Sequence, residues 1–108
     1  MGKVFKPRAF YPLKDVFKAI DKGNIDIENL YDRDKNKDTL IELGLTIPEA
    51  VQHIRRLRDS QFEETSHLPG QPPADVYKKT INKMTFYIKF FLEGDLVVLS
   101  FHKDEPRR

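Results

Sequence analysis

Between Thr85 and Glu93 apolar and polar positions alternate. Phe86, Ile88, Phe90 and Leu92 fall on one side of an extended chain, with Tyr87, Lys89 and Phe91 on the other. Gly94-Asp95 then predicts a two-residue hairpin turn, because glycine tolerates the positive φ that such turns require. That turn pairs Ile88 with Phe101, Phe90 with Leu99 and Leu92 with Val97, all apolar, as a shared core face demands. On the opposite face it sets Tyr87 against His102 and Lys89 against Ser100. A second turn at Asn82-Lys83 brings in the preceding strand, pairing Lys78 with Tyr87 and Val76 with Lys89. The prediction is a three-stranded antiparallel sheet with one apolar face. Its other face carries Lys78, Tyr87 and His102 in a single row, with Lys89 one step along.

Upstream the period changes. Residues 1–10 are basic and broken by Pro7, which predicts an arm without regular structure. Pro12 opens a helix whose apolar stripe is Leu13, Val16, Phe17 and Ile20, and Gly23 closes it. Ile25, Ile27, Leu30 and Tyr31 are compatible with a short strand or a short helix. The run Asp32 to Asp38 reads as a solvated charged loop. Its alternating acids lack the glycine and closing glutamate of a calcium-binding loop. Thr39–Leu43 predicts a short helix ended by Gly44. Thr46 and Glu49 then form a capping box for a helix whose core positions are Ala50, Val51, Ile54 and Leu57. Asp59 to Phe62 reads as a turn that buries Phe62. The Pro/Gly-rich 63–74 segment reads as a loop crossing to the sheet, and 105–108 as a frayed tail. The expectation is therefore one α+β domain over 1–108, with N-terminal helices packed on one face of a C-terminal three-stranded antiparallel sheet.

Composition narrows the chemistry. A chain of 108 residues supports one hydrophobic core, and a net charge of +2 is too small to argue for nucleic acid except through clustering. The absence of cysteine excludes disulfides, cysteine-ligated metals and thiol catalysis. No apolar run approaches the ~20 residues of a membrane span, and the N-terminus has no secretory h-region, so no membrane role is expected and the cytoplasm is the expected compartment. The three histidines have no metal-ligand spacing, and no phosphate-binding glycine loop occurs, so no metal and no cofactor is expected. His53 reads as a solvated residue on an arginine-rich helix side, and His67 lies in the Pro-rich loop. His102 is singled out by its predicted pairing with Tyr87, since imidazole transfers protons both ways near neutral pH. Arg55, Arg56 and Arg58, with Lys78, Lys79, Lys83 and Lys89, form the basic clusters. Each is either a solvated face or a set of phosphate contacts. An exposed Tyr87 on a basic sheet suits stacking on an unpaired base. Together these residues fit RNA cleavage in which the ribose 2′-hydroxyl attacks its own phosphorus while a side chain moves the proton.

Four stretches also resemble the MqsR-type toxins (motility quorum-sensing regulator) of bacterial toxin–antitoxin systems, within the broader RelE-like mRNA interferase group. They are Pro12-Leu13 to Gly23, Glu42-Leu43-Gly44-Leu45 with Leu57 and Phe62 following, Asp75-Val76-Tyr77, and Tyr87-Ile88-Lys89 with Asp95 to Phe101. The resemblance implies an α+β fold and metal-independent endoribonuclease cleavage of mRNA, free or on the ribosome, restrained by a cognate antitoxin protein. It places the family's catalytic tyrosine on Tyr87 and a family lysine on His102, which keeps a proton-transfer group. A family lysine falls near Glu64 and a family glutamine on Ala74, so those two groups are missing; either the lysine's role passes to Lys78 or to an arginine of 55–58, or the activity is altered or lost. The expected catalytic set is Tyr87, His102 and Lys78, with Lys89, Arg56, Arg55 and Lys79 binding RNA. The rival expectation is a non-catalytic module that binds RNA or protein through the same open sheet face.

Overall fold

The computed structural model describes residues 8–104. Most of the expected arm and the whole of the expected tail lie outside the described residues. Within them the order is α1 (Leu13–Asp21), β1 (Ile25–Asp26), α2 (Glu28–Asp32), α3 (Asp34–Leu43), α4 (Ile47–Arg55), a 3-10 turn (Asp59–Gln61), β2 (Phe62–Ser66), β3 (Ala74–Ile81), β4 (Met84–Glu93) and β5 (Asp95–Lys103). The strands form one mixed sheet of five, ordered β1-β5-β4-β3-β2. The short β1 runs parallel to β5 and the remaining pairs are antiparallel. The expected α+β class stands, but three antiparallel strands become five in a mixed sheet.

Local signals explain two helix ends directly. Thr46 and Glu49 close the expected capping box on α4. Gly44 ends α3 at φ 63°, the left-handed conformation that glycine adopts without a Cβ penalty. The core joins Leu13, Val16 and Ala19 of α1, Leu30 of α2, Leu40 of α3 and Ala50 and Ile54 of α4 to the sheet residues Tyr77, Phe86, Ile88, Phe90, Val98 and Phe101. The helices thus cover one sheet face, as the alternation implied.

Three sequence expectations fail. The charged run is a helix, because α3 begins at Asp34 and buries Asn36. Part of the Pro/Gly-rich loop is a strand: β2 pairs with β3 and leaves 67–73 as the connection. The β4–β5 turn has Gly94 alone between the paired Glu93 and Asp95. Near it Leu92 therefore faces Leu96 and Phe90 faces Val98. A bulge at Leu99 absorbs the difference, and beyond it Lys89–Ser100, Ile88–Phe101 and Tyr87–His102 pair as expected. The extra residue lets Val98 and Phe101 both be buried among the helices.

The burial of Asn36 has a clear physical role. Because β1 pairs with only Leu96 and Val97, the outer edge of β5 beyond them has no strand beside it among the described residues. Asn36 supplies the missing partners, its Nδ2 donating to Leu99 O at 3.0 Å and its Oδ1 accepting from Phe101 N at 2.9 Å. Asn29 donates to Val98 O, and the Thr39 hydroxyl accepts from Lys103 N. Side chains from α2 and α3 therefore cover an edge that would otherwise expose or bury unpaired backbone groups. At the far side, buried Asp75 accepts from Phe10 N, Tyr11 N and the Thr65 hydroxyl, tying the start of the described chain to the sheet.

Candidate functional site

On the sheet face away from the core, Lys78, Tyr87 and His102 are neighbours across β3, β4 and β5. Their rings and charges are held in specific ways. The Tyr87 and His102 rings stack with centroids 5.3 Å apart and planes 15° from parallel. His102 Nδ1 lies 2.9 Å from Lys103 O. A carbonyl oxygen only accepts, so Nδ1 carries the hydrogen, and in the neutral ring Nε2 keeps its lone pair. The Lys78 ammonium lies 3.3 Å from the Asp104 carboxylate, and Asp104 N donates to Thr85 O, which continues the β5 register. Burial, and secondarily the Glu64 carboxylate, push the Tyr87 hydroxyl above the usual tyrosine range. Lys78 opposes this by its positive charge. Tyr87 is therefore a hydrogen-bond donor at neutral pH.

Tyr87 and His102 of this row open on a cleft of about 480 Å³, walled on one side by these two with Lys103 and Asp104 and on the other by Lys35, Asp38, Thr39 and Glu42 of α3. Lys103 Nζ reaches Glu42 across it at 2.8 Å. The α3 wall departs from the charged loop that the sequence predicts over 32–38. The signal was nevertheless present, since Lys35, Asp38, Thr39 and Glu42 have the spacing of one helix face. Asp104, too, was overlooked as the partner of Lys78.

The expected site residues divide between the two faces. Lys89 shares the face of Tyr87, one row along, in the line Glu64, Val76, Lys89 and Ser100. Lys79 is turned to the helix side, because successive strand residues face opposite ways. Its Nζ donates to His53 O at 2.9 Å. Arg55 grips Asp21 with two hydrogen bonds of 2.9 and 3.1 Å and stacks 4.5 Å over the Phe17 ring, which clamps α4 onto α1. Arg56 follows α4, exposed, and lines a separate cleft with Gln52 and His53. None of these three joins the Tyr87 row. His53 is half-buried beside Phe101, with ring centroids 6.5 Å apart, rather than fully solvated. Burial first, then the positive charges of Lys79 and Arg56, hold its pKa below the usual histidine value. Glu64 lies on the site face, and Ala74 is buried. Among the described residues no group of three or more His, Asp or Glu side chains could hold a metal ion.

The family model described as motility quorum-sensing regulator, toxin of MqsA, matches residues 8–103. The chain belongs to this MqsR toxin family. No individual curated protein matches it. Membership agrees with the α+β architecture, and among the described residues no helix is long and apolar enough to cross a membrane. The match also runs through residues 24–38 and 63–74, which the motif resemblance left out.

Proposed function

We propose that this MqsR-family toxin cleaves mRNA through the RNA's own 2′-hydroxyl, without a metal ion, and is restrained by a cognate antitoxin of the MqsA type. The observation that carries this reading is the stacked Tyr87–His102 pair beside Lys78 at the mouth of the α3 cleft. His102 Nε2 takes the proton from the 2′-hydroxyl as that oxygen attacks the adjacent phosphorus. The bond to the 5′-oxygen breaks, leaving a 2′,3′-cyclic phosphate, and the departing oxygen takes a proton from solvent. Tyr87 donates a hydrogen bond to a non-bridging phosphate oxygen, and the Lys78 and Lys89 ammonium groups offset the charge that builds there.

The local charge favours one rival. Asp104 pairs with Lys78, and Glu64 shares the Tyr87 face, so carboxylates partly offset the cations of the row. A module that binds RNA or a protein without cutting would tolerate this. Incubating the purified chain with mRNA in the presence of a chelator, with and without ribosomes, decides between them. Wild type is expected to generate cyclic-phosphate ends, and His102→Ala to leave the RNA intact. Intact RNA with both proteins would leave only the binding module.

A further inference from the structure

The helix side of the sheet carries a second group of cations that the proposed reaction does not use. Lys79 Nζ sits at the C-terminal end of α4 against His53 O, where helix carbonyls draw positive charge. Arg56 lines a cleft with the same His53, and Arg58 follows two residues on. Burial, and then the fields of these two arginines, lower its pKa. Among the described residues none of the three is in an ion pair. Two acids lie beside them: Glu49, hydrogen-bonded to Thr46, lines the same cleft as Arg56, and Asp59 follows Arg58 at the start of the 3-10 turn, so the three cations outnumber these two carboxylates. A local excess of positive charge attracts anions.

That group is continuous with the Tyr87 row around the end of the sheet. Lys78 and Lys79 are consecutive on β3 and face opposite ways. From Lys78 to the β3–β4 turn is three residues, about 10 Å of strand. The turn itself holds Asn82 and Lys83 at φ 49° and 68°, the tight form in which the Lys83 side chain stands exposed at the tip. We propose that Arg56, Arg58 and Lys79 form a second phosphate station, reached by the RNA strand over the β3–β4 turn past Lys83. This inference rests on the RNA reading of the Tyr87 face and adds the path by which a longer strand is held. An acidic protein fits less well. The exposed large apolar residues, Phe10, Tyr31, Ile41 and Leu68, are all outside the group, whereas protein interfaces are anchored by such side chains. Guanidinium forks, in contrast, match phosphate geometry.

The test measures binding rather than cleavage, using 2′-O-methyl RNAs of about 4 and about 16 nucleotides, spanning the usual single-strand site sizes. For wild type the long RNA should bind more tightly and with the steeper salt dependence. In an Arg56→Gln/Arg58→Gln double variant that advantage should fall about tenfold, and the salt slope by about 1.4, the release expected from two single-strand phosphates. Lys83→Asn, which keeps a residue tolerant of the left-handed turn, should shift both in the same direction by less. Arg56→Lys/Arg58→Lys should retain most of the slope. An unchanged long-to-short ratio in both the Gln variant and Lys83→Asn would overturn the second station while leaving the Tyr87 reading intact. Loss of polyglutamate binding without loss of RNA binding would overturn it in favour of an acidic protein. Absence of RNA binding in wild type would overturn both readings together.

Discussion

The two faces of the central sheet are built from neighbouring residues and have opposite tasks. Tyr77, Ile88 and Phe101 form one cross-strand row, and Lys78, Tyr87 and His102 form the next on the other side. The first row is completely buried, with the Tyr77 ring stacked on Phe90 at 5.5 Å. The second is half-buried, and its Tyr87 and His102 open on the α3 cleft. A single step along each strand therefore separates groups that hold the fold from the groups to which the proposed reaction assigns its chemistry. Stability and activity should be separable by mutating adjacent residues.

Phe101 and His102 give the sharpest separation. Phe101→Ala should cost about 3–5 kcal/mol of stability through transfer and cavity terms, read from denaturant unfolding. His102→Ala should cost about 1 kcal/mol or less. It should also reduce RNA cleavage by about 10²–10⁴, the usual contribution of a proton-transfer group. If the two variants lose stability equally, the faces are not independent.

Asn36→Ala tests whether an amide stands in for a strand. It leaves Leu99 O and Phe101 N without their partner, and each buried group so orphaned costs about 1–3 kcal/mol. Faster hydrogen exchange at the Phe101 amide should accompany the loss. A neutral substitution would mean that the β5 edge needs no cover.

The two tyrosines supply the smallest contrast. Tyr77 carries a buried hydroxyl with no hydrogen-bond partner among the described residues, so Tyr77→Phe should be neutral or stabilising by about 1 kcal/mol. Tyr87→Phe should instead weaken RNA binding with little change in stability. Their pH dependence follows from burial, which raises the pKa of Tyr77, Tyr87 and Tyr11 alike in the folded chain. Above pH ~10 the unfolded chain releases those protons while the folded chain retains them, so stability falls as pH rises toward the folded values. Tyr77→Phe should flatten that decline in thermal melts taken across the alkaline range. An equally steep decline in that variant would locate the effect elsewhere.

The face assignments of β4, the Lys78–Tyr87–His102 row, the Asn82-Lys83 turn and the Thr46 capping box were all legible in the sequence. Each rests on local chemistry: a period of two, a turn residue, a cap. The bulge at Leu99 was not legible, because it answers the one-residue turn at Gly94 and the fit of Val98 and Phe101 under the helices. The run from Asp32 to Asp38 looked like a solvated loop because its charges hide a single informative residue, Asn36. Burying an amide makes sense only once the unpaired edge of β5 is beside it.

Sequence alone determined which side chains share a strand face, since alternation is a property of the extended backbone and needs no partner. It also determined family membership, which covers residues 8–103. Only the tertiary structure decided that α3 walls the cleft, that Asp104 holds Lys78, and that Arg55, Arg56 and Lys79 belong to the helix side. Those placements join residues distant along the chain or set neighbours on opposite faces, and they follow from packing the helices on one side of a twisted sheet. The polar row came from one strand period; the cleft beside it came from the fold.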